Sequence, residues 1–371
     1  MDLSFTEEHQ QLRELVRRFL DECSDEQAVR AQMDTEEGFD RSVWTRMAEE
    51  LGLLGLMVPE EQGGTGLGAV ELAIVMEEMG RSLLCAPYFS TVVLGGNTLL
   101  ESGDEALCQE ILPKMAQGEL FLTLAVEEEN GGHDLSDIHC SAEKQGDSFV
   151  LNGVKTPVLD GALADVLLVA ARTEQGLSLF RVDANAEGMT RKPLPPLDTT
   201  RKLARIEFQS TPAELIGREG SAEAVLEHVL DLAAVALSAE STGGAQACLD
   251  MAVQYAKERL QFGRPIGSFQ AIKHKCADML VQVESARSAS YSAAFSAVQD
   301  AAELSVTAAM AKSKSSEAYF FVAAENIQVH GGIGFTWEHP AHLYFKRAKS
   351  SEVLLGEPAF HRQKLAALID L

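Results

Sequence analysis

From residue 222 to residue 329 the chain is written almost without interruption in helical period. Three segments, 222–260, 269–299 and 302–329, repeat apolar residues at three- and four-residue spacing and carry alanine on several faces. Alanine lets long helices approach closely, so the expected product is a four-helix bundle. The punctuation between the segments is glycine and proline. Phe262-Gly263 is a tight break, Pro265 a rigid turn, and a new helix is expected from about Ser268. Gly331-Gly332-Ile-Gly334 makes a second corner before a last helical stretch around 340–353.

Upstream, between about 121 and 212, the period changes to two. Phe121–Val126, Ser148–Leu151, Val166–Ala170, Leu177–Val182 and Leu203–Phe208 read as strands, with Asn152-Gly153 and Gln145-Gly146-Asp147 as turns. The first 120 residues are helical again. Leu12, Leu15, Val16, Phe19 and Leu20 share a face behind a first turn at Thr6 and His9, and Trp44, Met47, Leu51 and Leu54 make another. The expected architecture is mainly α with an inserted β domain: an N-terminal helical domain (1–120), a middle β-barrel domain (121–212) and a C-terminal helical bundle (213–371).

Lys and Arg number 31 against 56 Asp and Glu, a net charge of −25. That balance excludes a basic nucleic-acid footprint and disfavours an anionic membrane surface. A small anion still has Lys257, Arg259 and Arg264 to bind. No apolar run approaches the ~20 residues of a membrane span, and the first residues lack the form of a signal peptide. The six cysteines show no CxxC or metal spacing and read as buried thiols of a reducing, cytoplasmic compartment. His339 and His342 have no third ligand at helical spacing, so no metal is expected.

Chemistry concentrates in Arg259-Leu-Gln-Phe-Gly-Arg-Pro-Ile-Gly-Ser-Phe-Gln270. A forked guanidinium, a glutamine and an aromatic beside a glycine corner suit a diphosphate and a flat ring. The same residues also describe an ordinary helix-helix corner with a solvated arginine. Spacing adds weight. Pro59-Glu-Glu-Gln-Gly-Gly-Thr-Gly-Leu67, the Arg259–Gln270 segment and Gln328-Val-His-Gly-Gly-Ile-Gly-Phe-Thr-Trp-Glu-His-Pro340 stand in the order and at the spacing of three signatures of the acyl-CoA dehydrogenase family, which the whole chain resembles.

The resemblance implies a tetrameric FAD flavoprotein that converts an acyl-CoA thioester to the 2,3-enoyl-CoA. A glutamate takes the α-proton, the flavin takes the β-hydride, and an electron-transfer flavoprotein accepts the electrons. It also implies that each flavin lies between two subunits. On this basis Arg259, Gln261, Phe262, Gln270, Gln328, Gly331 and Gly332 are the candidate FAD residues.

The chain departs from the family elsewhere. Counted without a gap, the usual base position is Leu355, followed by Gly356, and the position used by a minority of members is Ala233; neither carries a carboxylate. Glu357, two residues past the first, and Glu240, seven past the second and so two turns along roughly the same face, are the nearby acids. Glu357 reads equally as a solvated loop acid, and Glu240 as an acid satisfied at an interface. In Glu127–Asp134 the family's flavin-loop Thr is Glu127 and its Ser is His133, whereas Glu128, Gly132 and Asp134 match. In Lys155–Asp160 the ring-stacking Trp is Pro157 and the hydroxyl near the flavin is Leu159. The role of Asp231 does not carry over, because its expected basic neighbour is Ala234. Trp337 and Tyr344 read as core or interface, and Lys346, Arg347 and Lys349 as charges suited to a helix end.

The losses fall on elements a subunit uses for its own flavin and base, while the elements lent to a neighbour are kept. The first expectation is therefore one subunit of an α2β2 acyl-CoA dehydrogenase for bulky, steroid side-chain-like CoA esters. A homologous partner would supply the base and the flavin-ring pocket. A self-sufficient homotetramer with Glu357 or Glu240 as relocated base is the second, and a flavin-free structural or regulatory homologue the third.

Overall fold

The computed structural model describes residues 5–129, 132–146, 148–299 and 301–371, the side chain of Ala301 excepted. In chain order the helices are α1 (Glu7–Cys23), α2 (Glu26–Met33), α3 (Arg41–Glu49), α4 (Ala69–Arg81), α5 (Asn97–Glu101), α6 (Glu105–Ala116), α7 (Ala222–Glu258), α8 (Gln270–Gln299), α9 (Ala301–His330), α10 (Ala341–Val353) and α11 (Pro358–Leu368). The strands are β1 (Leu122–Ala125), β2 (Ser141–Gln145), β3 (Ser148–Leu159), β4 (Val166–Thr173), β5 (Gly176–Asp183), β6 (Met189–Leu194), β7 (Leu203–Ile216), β8 (Leu260–Gln261) and β9 (Arg264–Pro265). A π-helical stretch, Phe89–Gly96, precedes α5. No described helix is long and apolar enough to cross a membrane. None of the six cysteines forms a disulfide, and four are buried.

The chain divides into two compact units. One takes in the residues up to Ala31, Ala69–Leu84 and Ala234–Leu371; the other takes in Gln32–Gly68 and Cys85–Ala233.

The second unit is built on a seven-stranded sheet. β4, β2, β3, β7 and β5 pair in that order and β5 pairs back onto β4, so these five close a ring; β1 adds to β4 in parallel and β6 to β7. Leu151, Val158, Leu167, Val169, Phe180, Ile206 and Phe208 fill its interior. The five expected strands are present. β2 and β6 were not legible, because their sequences are polar and mostly solvated and carry no apolar run. Asn152-Gly153, expected as a turn, lies inside β3 at a register shift. The glycine serves a close approach there, since a Cβ on Gly153 would come within 2.9 Å of the Cys140 Cα. Asn152 Oδ1 accepts from the Ser210 amide at 2.8 Å. Gln145-Gly146 does lead from β2 to β3; Asp147 lies outside the described residues.

Apart from the short β8–β9 pair, the described elements of the first unit are helices. α1 opens on a reciprocal cap: Thr6 Oγ1 accepts from the His9 amide at 3.3 Å, and His9 Nδ1 accepts from the Thr6 amide at 3.1 Å. It buries Val16, Phe19 and Leu20, but Leu15, expected on that face, is exposed. α7, α8 and α9 run 37, 30 and 30 residues, close to the expected segments. α4 and α7 cross with their backbones in contact: a Cβ on Gly80 would lie 1.9 Å from Glu240 O, and one on Gly243 1.8 Å from Glu77 O. Glycine is what permits this crossing. Beside it Arg13, Arg287 and Tyr291 bind the buried Glu77, and Arg13 and Arg17 bind the buried Glu78. Burial acts to raise the Glu77 carboxyl, but the two arginines and the tyrosine outweigh it and hold it below its ordinary value.

Candidate functional site

The Arg259–Gln270 segment is a protruding hairpin followed by a helix. β8 and β9 pair around Phe262 (φ 54°) and Gly263 (φ 76°), the two left-handed residues of a primed two-residue turn. A phenylalanine there is strained, and its ring is 90% exposed. Pro265 ends β9 and caps the short 3₁₀ turn Ile266–Ser268, and α8 begins at Gln270. The Arg264 guanidinium stacks 4.1 Å over the Phe269 ring. Arg259, Gln261 and Gln270 are exposed, and their side-chain polar groups have no partner among the described residues.

The second motif sits at the end of α9. Gln328 is exposed in its last turn, its amide likewise uncommitted among the described residues. Gly331 (φ 64°) and Gly332 follow, and a Cβ on either would meet nothing within 4 Å. Tyr255, one turn before Arg259, stacks on His330 with ring centroids 4.3 Å apart. That stack ties the end of α7 to the end of α9 and brings the two motifs into one neighbourhood. Sequence spacing could not show this, and the only signal for it is one aromatic beside each motif. The result is an open cradle of one free guanidinium, three free amides and two unobstructed glycines. It fits the phosphates and polar edges of an extended anionic cofactor such as FAD.

The second unit carries the other half of the family's constellation, and there the polar groups are spent internally. Lys155, fully buried, donates to Glu128 Oε1 at 2.7 Å and to Val126 O at 2.9 Å. Glu128 also accepts the amides of His139 and Cys140. Burial raises the Glu128 carboxyl, but Lys155 and the two amides reverse the effect and leave it below its ordinary value. Glu127 faces His133 at 3.4 Å, and Asp134 binds the Ser136 amide. Asn130 and Gly131 of this loop lie outside the described residues. Pro157 is exposed at a register shift between Lys155 and Val158, while Leu159 is buried. Neither supplies a donor.

The four candidate base positions separate clearly. Ala233 is fully buried on α7. Glu240 lies in the interior of the first unit, ion-paired with the buried Arg347. Arg347 thus neutralises a buried acid rather than serving a helix end. Glu357 is exposed in front of α11. Leu355 is held at φ 61° in the turn from α10 to α11. The buried Lys312 ammonium binds the carbonyls of Ser351, Glu352 and Gly356, and the Leu355 carbonyl lies 2.8 Å from His361 Nε2. This clamp was not read from sequence; Lys312, one of two lysines among the alanines and serines of α9, is its trace there. Among the described residues no cluster of metal ligands occurs. Trp337 is exposed under the Lys346 ammonium, and Tyr344 donates to Arg81 O.

Comparison with known proteins gives the family. Family models match in three consecutive stretches: acyl-CoA dehydrogenase N-terminal domain (6–119), middle domain (123–211) and C-terminal domain (223–369). Acyl-CoA dehydrogenase IpdE2 of Mycolicibacterium smegmatis is 36% identical, covering 98% of this chain and 99% of its own. Among solved structures, the Tcur3481-Tcur3483 steroid ACAD superposes with a TM-score of 0.90 at 33% identity, with 98% of each chain covered. The ChsE4-ChsE5 complex of Mycobacterium tuberculosis gives 0.91 at 30% identity, covering 100% of this chain and 99% of that one. With its N-terminal helices, middle sheet domain and C-terminal helices, the chain belongs to the acyl-CoA dehydrogenase family of flavin-dependent oxidoreductases.

Proposed function

We propose that this chain is one subunit of a heteromeric FAD-dependent acyl-CoA dehydrogenase, and that it completes a flavin site seated mainly on a homologous partner. The observation that carries the reading is the contrast between the two units. The first presents Arg259, Gln261, Gln270 and Gln328 uncommitted beside the open Gly331-Gly332 corner. The second has Pro157 and Leu159 where donors to a flavin ring are needed, and Leu355 and Ala233 are the residues where a base is needed. Arg259 would bind phosphate oxygens, the glutamines would satisfy polar edges, and Gly331 and Gly332 would let the backbone approach. When bound, the flavin supplies the hydride-accepting chemistry; proton abstraction falls to the partner's carboxylate.

Two similar structures, the ChsE4-ChsE5 complex and the Tcur3481-Tcur3483 steroid ACAD, support a two-chain assembly. On that basis the proposed substrate is a bulky CoA thioester, and an electron-transfer flavoprotein the acceptor. The relocated-base reading is weakened by the Glu240–Arg347 pair and by the exposure of Glu357. The test is to purify the chain alone and co-expressed with the product of its neighbouring reading frame. FAD content and turnover should appear only in the co-purified complex. Full flavin occupancy and turnover in the lone chain would refute the proposal, and a colourless, inactive complex would favour a flavin-free role.

A further inference from the structure

Three aromatic rings from three elements meet behind the Gly331–Trp337 corner. Tyr255 of α7 stacks on His330, the last residue of α9, at 4.3 Å and 30°; His330 meets His339, two residues before α10, at 4.2 Å and 49°. The hydrogen bonds fix the neutral form of each imidazole. His330 Nδ1 lies 2.8 Å from Asn326 O, so it carries the hydrogen and donates. His339 Nδ1 accepts from the Ala341 amide at 3.2 Å, so it carries the lone pair. Ala341 is the first residue of α10. A proton on His339 Nδ1 would remove that acceptor and place a positive charge at the positive end of a helix. A proton on each ring would set two cations with ring centroids 4.2 Å apart.

The neighbouring charges do not offset this. Arg30 of α2 opposes protonation of His339 and Glu26 favours it; His342 of α10 opposes it, and Lys346 of α10 acts on His342 in the same sense. Glu338 in the corner is exposed. Burial is the first cause lowering both His330 and His339, and for His339 the charge of His330 comes next. For His339 solvation and local charge agree with the hydrogen-bond geometry; for His330 burial outweighs the bond to Asn326 O, which favours the cation.

We propose that the Tyr255–His330–His339 stack is an acid-sensitive latch on the Gly331–Trp337 corner. With both imidazoles neutral it closes the corner between α9 and α10; protonation parts the rings and frees the corner. Because Gln328, Gly331 and Gly332 belong to the flavin cradle of the functional reading above, on which this consequence rests, acid would also loosen the cofactor.

Hydrogen exchange of peptides spanning 328–343, corrected for the intrinsic rate, tests the latch in the full chain at pH 7.5 and 5.0. The corner's opening should rise severalfold, because a proton held less well in the closed form than in the open one shifts the balance toward opening. His339→Asn retains a side-chain acceptor for the amide two residues on but does not titrate, so its exchange should stay flat. A flat wild-type response, or an equal rise in His339→Asn, overturns the proposal. Flavin retention by the co-purified complex at the same two pH values separates the two readings. An open corner with flavin retained keeps the latch and refutes the corner's part in cofactor binding. Flavin loss without faster exchange overturns the latch.

Discussion

Arg347→Met gives the sharpest test of how the first unit is held together. Glu240 and Arg347 have side chains only 6% and 3% exposed, and they pair between α7 and α10. The Glu240 backbone is itself pinned at the crossing, where its carbonyl lies against Gly80. Removing the guanidinium leaves a buried charge uncompensated, a loss of about 3–5 kcal/mol. For a unit of this size that is a fall in unfolding midpoint of about 6–20 °C. The double variant Glu240→Leu with Arg347→Met removes both charges and fills similar volume, so it should recover most of the loss. Thermal unfolding at fixed protein concentration, followed by circular dichroism, reads all three proteins. A single variant within about 1 °C of wild type, or a double variant less stable than the single, would refute the reasoning. In the co-purified complex, turnover by the double variant would also exclude Glu240 as a base.

Further substitutions have distinct expected outcomes. Gly243→Ala forces a Cβ to 1.8 Å from Glu77 O and should cost about 3 kcal/mol or more, whereas Gly332→Ala meets nothing and should stay within about 0.5 kcal/mol; urea midpoints compare them. Arg259→Ala should lower FAD affinity of the complex about tenfold or more while leaving the midpoint of the lone chain unchanged, since its guanidinium has no partner among the described residues. The Glu128 carboxyl is depressed below 4.5 in the folded chain. Its contribution is therefore present above the unfolded value and lost as pH falls through the folded one. An acid titration of stability should steepen below about pH 4.5, and Glu128→Gln should remove that slope. Lys312→Met should free the turn that holds Leu355, seen as faster hydrogen exchange in 351–357 with little change elsewhere.

The sequence by itself determined the class of the fold and the identity of the motifs, because both are local. Helical period persists through α7, α8 and α9 whatever they pack against, and apolar alternation marks strands with a buried face. Polar β2 and β6 escaped for the complementary reason: their strand state comes from partners already in the sheet. Asn152-Gly153 misled as a turn because its role is a close approach to Cys140, which no window along the chain contains. The absence of a carboxylate at Leu355 and Ala233 was also legible, since it needs only counting. What only the tertiary structure decided is which groups remain available. Arg259 and Arg347 look alike in sequence, yet one guanidinium has no partner among the described residues and the other is consumed by Glu240. The convergence of Tyr255 with His330 and of Lys312 with the Leu355 turn was equally hidden. Both depend on helix ends meeting across long stretches of chain, and such meetings are set by packing rather than by spacing.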